Sequence, residues 1–148
     1  MKRKYLLIAI SLVIIVAVGF FAFQKFQSAS LAETVILEGQ HEDFVVHIQI
    51  EPDQDGVRVL RSLQYIGDED ITIEHRSPLT QITINTDNAV FTGSTIKKHL
   101  QQGSQYYTQE PLRIPALNKG THVIYVHTQF KKDGEQIDIK SKGEVRFE

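Results

Sequence analysis

The sequence predicts an all-β domain, an antiparallel sandwich of two sheets, preceded by one transmembrane helix. Two observations predict the sandwich: short segments alternate apolar with polar residues at roughly 8 to 12 residue intervals, and clusters of Gly, Pro, Asn and Asp separate them. The helix is predicted because residues 5–23 carry no charged side chain. We expect a cytoplasmic tail over 1–4, an anchor over 5–24, a short stalk over 25–32 and the sandwich over 33–148.

The uncharged run is long enough to cross a bilayer. At about 1.5 Å per residue, its nineteen residues would extend roughly 28 Å as a helix, close to the thickness of the hydrocarbon core. Lys2, Arg3 and Lys4 precede it and only Lys25 follows directly, so we expect a cytoplasmic N-terminus and a domain outside the cell. The alternative is a cleaved signal peptide, with cleavage before Glu33 and secretion of the domain. A signal peptide usually has roughly 7 to 15 apolar residues, and this longer run favours the uncleaved anchor.

Composition restricts the possible functions. The chain contains no Cys, which excludes disulfides, a lipid-modified Cys anchor and thiolate chemistry. Of the 16 Lys and Arg, four flank the apolar run, which leaves 12 in the domain beside all 18 Asp and Glu. Such an acidic excess disfavours nucleic acid and anionic lipid headgroups as partners. We therefore predict no cofactor, no nucleic-acid ligand, and contact with membrane lipid only through residues 5–24.

The first half of the domain alternates with period two. The run over 44–51 places four apolar side chains on one face, namely Phe44, Val46, Ile48 and Ile50. A Pro, Asp and Gly turn follows, and a second alternating strand runs from Val57 to Tyr65. The alternation resumes at Ile71 and is predicted to break at Ser77–Pro78. Residues 112–114, which lie between two prolines, are predicted to form an edge strand or an extended crossover.

The segment between the two halves is less regular. Residues 89–92 form a short apolar run that is typical of a strand. Ser94 is expected to cap a short helix that ends at Gly103, because Ile96 and Leu100 lie four residues apart. Such a helix would cross one edge of the sandwich.

The C-terminal hairpin has the most specific local signal. Asp133–Gly134 is a favoured type I′ turn pair between two alternating runs. Pairing outward from this turn sets residues opposite each other in three pairs, which are Phe130 with Ile137, Thr128 with Ile139, and Val126 with Ser141. A single register then keeps the apolar side chains on one face, as a buried face requires.

Two segments resemble bacterial immunoglobulin-like modules. Residues 117–126, LNKGTHVIYV, are similar to the L-x-x-G-x-x-x-[IL]-x-V stretch that enters a late strand in many of them. Residues 63–73, LQYIGDEDITI, resemble their unit of strand, polar turn and strand. The resemblance covers about 33–148 and implies an antiparallel immunoglobulin-like two-sheet sandwich that binds other molecules. The chain has neither the paired Cys nor the Trp of antibody domains, so the resemblance does not imply an antibody-like partner.

Acidic turns contain the weak candidate metal ligands Asp53, Asp55, Asp68 and Asp70. The first turn is similar to the start of a calcium loop, but Ser62 stands where that loop needs its last acidic ligand. We therefore expect solvated turns and no metal site.

Tyrosines are the candidate contact residues. Tyr106 and Tyr107 are adjacent in a polar, glutamine-rich segment, and neighbours in a strand cannot both point inward. Because tyrosine is enriched where proteins bind, we expect a contact surface here, the alternative being one ring in the core and one on the surface. Tyr125, on the outer face of the hairpin, marks a second candidate surface.

No catalytic motif is present, and we assign no catalytic residue: the chain has no G-x-S-x-G, no H-E-x-x-H and no Gly-rich phosphate loop. The leading hypothesis is a membrane-anchored extracytoplasmic binding or accessory module without catalytic chemistry, whose partner is another envelope protein or an extracellular ligand. One alternative is a regulatory inhibitor of an enzyme such as a proteinase. Another is a hydrolase with a pair of carboxylates.

Overall fold

Residues 10–11, 13–20, 29–108 and 110–148 are described by the computed structural model. In the last two of these ranges the regular secondary structure consists of β-strands. The strands are β1 Val35–His41, β2 Phe44–Asp53, β3 Gly56–Tyr65, β4 Ile71–Ile84, β5 Thr95–Leu100, β6 Gln105–Tyr106, β7 Leu112–Pro115, β8 Gly120–Lys132 and β9 Glu135–Phe147.

The strands form two sheets in which every pairing is antiparallel. The first sheet has the order β1-β2-β3, and both β6 and β7 pair with the far side of β3. The second sheet has the order β5-β4-β8-β9. The chain passes between the sheets after β3, after β5 and after β7. The prediction of an antiparallel two-sheet domain is therefore confirmed.

The inner faces of the sheets are the faces that the alternation predicts. Phe44, Val46, Ile48 and Ile50 of β2 are each no more than 1 % exposed. The Phe44 ring joins the two sheets, since its centroid lies 4.7 Å from that of Phe130 on β8. Burial of these aliphatic and aromatic side chains is the main favourable term in folding.

The C-terminal hairpin has the predicted register. Phe130 pairs with Ile137, and the Thr128 and Val126 pairings also match the prediction. Asp133 and Gly134 adopt φ angles of 51° and 82°, the left-handed conformation that a type I′ turn requires at both central positions. This two-residue turn sets the register of β8 and β9 over thirteen residue pairs.

Residues 94–103 do not form the predicted helix. Thr95–Leu100 is the strand β5, which pairs with β4 at the edge of the second sheet. Two positions four residues apart share a face in a strand as well as in a helix, so Ile96 and Leu100 did not distinguish the two structures. Residues 89–92 are also outside the strands and belong to a loop on the outer face of the second sheet.

The predicted break at Pro78 is a distortion within one long strand. β4 runs from Ile71 to Ile84, and its register with β8 shifts between His75 and Thr80. The shift has the effect of a bulge, which lets a proline remain within a strand without a regular ladder bond.

The domain begins earlier than predicted. Ala29 and Leu31 are buried, and Leu31 forms a β-bridge with Phe147. The amide of Ala32 donates to the carbonyl of Arg146 at 2.8 Å. Residues 29–32 were predicted as stalk, but their backbone pairs with the end of β9 and the side chains of Ala29 and Leu31 belong to the core.

The predicted anchor lies only partly within the described residues. Residues 10–11 and 13–20 are helical, whereas 1–9, 12 and 21–28, which include the predicted tail and the first half of the predicted stalk, lie outside the described residues. Among the described residues, no helix is both long enough and apolar enough to span a membrane.

Candidate functional site

The two adjacent tyrosines separate, one towards the core and one into solvent. Tyr106 belongs to β6, pairs with Leu63 and packs against the core. Tyr107 has 68 % of its surface exposed. This is the alternative in which one ring is inside and one outside, and it follows from the opposite direction of neighbouring side chains in an extended segment.

Tyr106 is held by a buried histidine on the opposite sheet. Its hydroxyl lies 3.1 Å from Nε2 of His75, and the two ring centroids are 5.6 Å apart. Nδ1 of His75 lies 2.7 Å from the carbonyl oxygen of Arg76. A carbonyl only accepts, so we assign a proton to Nδ1, and in that tautomer Nε2 accepts from the Tyr106 hydroxyl. Burial raises the pKa of Tyr106, which keeps this hydroxyl protonated as the donor.

Tyr106 and His75 lie at a side of the sandwich that is incompletely covered. Here the edge strand β5 of the second sheet faces the two-residue strand β6 of the first sheet. Residues 95–99 of β5 are all exposed, and Ile96 keeps 39 % of its surface accessible. Nζ of Lys98 lies 5.0 Å from the Tyr106 ring centroid, a cation–π distance. We call β5, Tyr106 and Tyr107 together the open side.

The outer face of the C-terminal hairpin contains Tyr125. This side chain is half-buried in a shallow groove of about 330 Å³. The charged residues that line the groove are Asp87, Lys140 and Lys142. Nζ of Lys140 and the Asp87 carboxylate are 3.8 Å apart. Tyr125 is thus less available for contact than Tyr107, although it lies where the sequence places it.

A histidine and a carboxylate form the most connected polar cluster on the same face. Nε2 of His127 donates to Asp138 at 2.6 Å, and the Gln129 and Gln136 amides each donate to Asp138 at 2.9 Å. The Phe91 ring, from the loop before β5, packs edge-on against His127 with a centroid separation of 5.0 Å. The cluster therefore fastens this loop to the sheet.

Opposing effects act on the pKa of Asp138. Burial alone raises it, whereas the hydrogen bonds from Gln129, Gln136 and His127, together with the charge of His127, lower it, and the net pKa is below the ordinary value. The ionised form is therefore stabilised by folding. That contribution is present above the pKa of the unfolded chain and is lost as pH falls through the folded pKa.

Asp138→Asn is expected to lower the free energy of unfolding at neutral pH by roughly 0.5 to 1 kcal/mol, a small value because 36 % of the Asp138 side chain is exposed to screening solvent. The difference from wild type should diminish as the pH falls from neutral through the folded pKa of Asp138, which lies below its ordinary value, because the wild-type carboxyl is then protonated as well. Urea denaturation over a series of pH values from neutral to acid measures this, with Glu144→Gln on the same strand as control. A deficit that persists unchanged at low pH would contradict the assignment to ionised Asp138.

The four acidic candidates do not converge. Asp53 and Asp55 lie at the turn before β3, whereas Asp68 and Asp70 lie in the turn after β3. The ten residues of β3 separate the two turns. At about 3.3 Å per residue, the two turns lie at opposite ends of the sandwich. Asp53 instead contacts Nε of Arg113 at 3.3 Å. Within the described ranges, no cluster of three or more His, Asp or Glu could hold a metal ion.

Arg61 is a core-facing charge that the sequence analysis did not single out. It lies between Val59 and Leu63, in the same alternation as these buried residues. Its guanidinium donates to the carbonyls of Thr80 and Glu110 at 3.1 and 3.2 Å, and burial lowers its pKa. The sequence did contain a signal for it, which is its position in the apolar alternation of β3. An Arg on the core-facing side of a strand must extend its guanidinium out of the core or find a partner.

The polar cluster around Asp138 and the open side differ in the chemical features that they offer. His127 and Asp138 have the separation of a general-base pair, but in the described residues Asp138 is the only side chain hydrogen-bonded to His127. The open side instead combines an exposed tyrosine, an exposed isoleucine and an exposed strand edge, which are features of binding surfaces. Comparison with known proteins finds no matching family model, no similar curated protein and no similar solved structure.

Proposed function

We propose that this chain is a single-pass membrane protein whose extracytoplasmic sandwich binds another envelope protein without catalysing a reaction. The observation that carries the proposal is the nineteen-residue uncharged run that directly precedes the domain. The helical residues described in this run support it. Their large side chains are apolar, and each of them is between 48 % and 69 % exposed; they are Ile10, Val13, Ile14, Ile15, Val16, Val18 and Phe20. Lipid would cover these side chains and remove their apolar surface from water.

Residues 29–32 support retention of the anchor. Cleavage before Glu33 would remove the buried Ala29 and Leu31, together with the paired hydrogen bonds between Ser30 and Glu148. A segment that completes the core is an unsuitable place for a signal peptide to end. With the anchor retained, the four residues 25–28 reach at most about 14 Å, so the domain is held beside the membrane.

We further propose that the sandwich is immunoglobulin-like, and the strand order supports this. If β1 is treated as an added N-terminal strand, β2, β3 and the pair β6 and β7 correspond to strands A, B and E of that fold. The sequence β5-β4-β8-β9 then corresponds to C′, C, F and G. The chain also changes sheet at the same steps.

The open side is the contact surface that we propose. Tyr107 offers a large, mostly exposed aromatic ring, and Ile96 adds apolar surface beside the exposed edge of β5. Tyr106 supports this surface from below through its bond to His75, so its replacement would disturb folding as well as binding. Tyr107 is therefore the residue whose removal tests contact alone.

Thiol labelling tests topology and contact together, because the chain has no Cys of its own. A cysteine at Thr108, next to Tyr107, should react with a membrane-impermeant maleimide about tenfold more slowly in intact cells than in the purified protein, since the partner covers it. Glu144→Cys, exposed on β9, is the control and should react equally in both. Adding Tyr107→Ala to Thr108→Cys should restore fast labelling in cells.

Each failure of this experiment has a separate meaning. If neither cysteine reacts until the cells are permeabilised, the proposed orientation is wrong. If both react in cells as fast as in the purified protein, nothing covers the open side, and the proposed contact surface is wrong.

A further inference from the structure

We propose that the partner binds by adding an extended, acidic strand to the free edge of β5. The inference rests on the proposed function and specifies the chemistry of its ligand. An added strand would continue the second sheet beyond its present boundary. Its backbone would supply the hydrogen bonds and its side chains the specificity, as in other cases of strand addition.

The backbone of β5 is available for pairing on one side. β5 bonds to β4 along residues 95–100, and in the described part of the chain no strand pairs with its other side. In an antiparallel edge strand, alternate residues direct their N–H and C=O groups away from the sheet. Such groups are satisfied by water until another strand replaces it.

The other sheet edges are less accessible to a new strand. At the opposite side of the sandwich, β1 lies against β9, and a Cβ at Gly143 would collide with the side chain of Leu37. Leu31 also pairs with the end of β9. At the remaining edge, β6 and β7 are separate short strands, and Pro115 cannot donate a hydrogen bond to a ladder.

The side chains of β5 favour an acidic partner. Lys97 and Lys98 occupy neighbouring positions, on opposite faces of the edge, whereas His99 beside them already contacts Asp70 at 3.5 Å. Lys97 has 76 % of its side chain exposed and only a long contact of 3.9 Å with Glu74. Opposite charges in cross-strand positions stabilise pairing, so carboxylates on the added strand would lie well beside these lysines.

The same charges disfavour a second copy of this chain as the occupant. Antiparallel pairing of two β5 edges would bring Lys97 and Lys98 of each copy close to those of the other. Like charges in directly opposed positions destabilise a sheet, and lysines on edge strands prevent such self-association. The edge thus discriminates between an acidic strand and itself through repulsion as well as attraction.

The test measures fluorescence anisotropy of a labelled peptide in which Glu alternates with Val and Thr, added to the full-length protein in detergent micelles. Lys97→Glu combined with Lys98→Glu should weaken binding by about tenfold or more. Lys140→Glu combined with Lys142→Glu on β9 makes the same change in net charge away from β5 and should leave binding unchanged. If the two double variants weaken binding equally, the attraction is a general charge effect and the proposal is wrong.

An N-methylated peptide separates strand addition from simple charge attraction without any change to the protein. Methyl groups on alternate amides along one edge remove the ladder donors but keep every carboxylate. We expect this peptide to bind about tenfold more weakly and the unmodified peptide to slow hydrogen exchange of the β5 amides. Equal binding of both peptides, or no binding of either, would overturn strand addition. The labelling result at Thr108→Cys would still stand, because it requires only that a partner covers the open side.

Discussion

A domain that begins at Glu33 is expected to be less stable than one that begins at Ala29 by roughly 4 kcal/mol. The lost residues include Leu31 and Ala29, which are 5 % and 6 % exposed. Deleting a buried Leu side chain costs about 2 to 5 kcal/mol, and each lost backbone hydrogen bond adds about 1 kcal/mol. The lost segment also leaves part of the Phe147 edge without its partner.

Urea denaturation followed by circular dichroism compares the two chains. The control is Glu33→Ala in the longer chain, since Glu33 is exposed and its replacement should change stability little. Equal stability of the two chains would contradict the role given to residues 29–32 and would make a secreted domain starting at Glu33 as acceptable as the anchored one. A clear deficit would mean that cleavage there damages the domain.

Phe44→Ala in the full-length protein is expected to lower the free energy of unfolding by about 3 to 5 kcal/mol. Phe44 has 0 % of its surface exposed. Its ring centroid lies 5.3 Å from that of Tyr65 in the same sheet, and Phe130 packs against it from the other sheet. Truncation therefore leaves a cavity at a point where both sheets meet, which few neighbours can fill by small movements.

Gln49→Ala is the matched control for Phe44→Ala, because Gln49 belongs to the same strand and faces solvent. Denaturant midpoints, with unchanged slopes, measure both variants. A loss for Phe44→Ala no larger than that of the control would show that β2 does not direct its predicted face into the core.

Much of the fold follows from rules that act over a few residues. The buried face of β2 follows from strict alternation, and the register of β8 with β9 follows from Asp133–Gly134, since both residues tolerate the left-handed conformation of a type I′ turn. The sequence-based predictions were wrong where a helix and a strand share the same local pattern. Ile96 and Leu100 fit a helix and a strand equally, and the pairing of β5 with β4 selects the strand.

The candidate site was predictable only in part. Tyr107 is exposed, as a contact residue must be, whereas the orientation of Tyr106 depends on His75, thirty-one residues earlier in the chain. The sequence offered two acidic turns as candidate ligands, but the length of β3 keeps these two turns apart. The free edge of β5 had no sequence signal of its own, because an edge is defined by the strand that does not pair with it.

By itself, the sequence determined the alternating inner faces, the terminal hairpin with its register, and the uncharged run before the domain. Each of these is encoded within a short stretch, through side-chain direction, turn conformation or hydrophobic length. Only the tertiary structure decided that residues 29–32 pair with β9 and that β5 is an edge strand. It also decided that Tyr106 packs against the core while Tyr107 is exposed. Those outcomes depend on partners distant in the chain, whose contacts decide where a segment with two acceptable conformations lies.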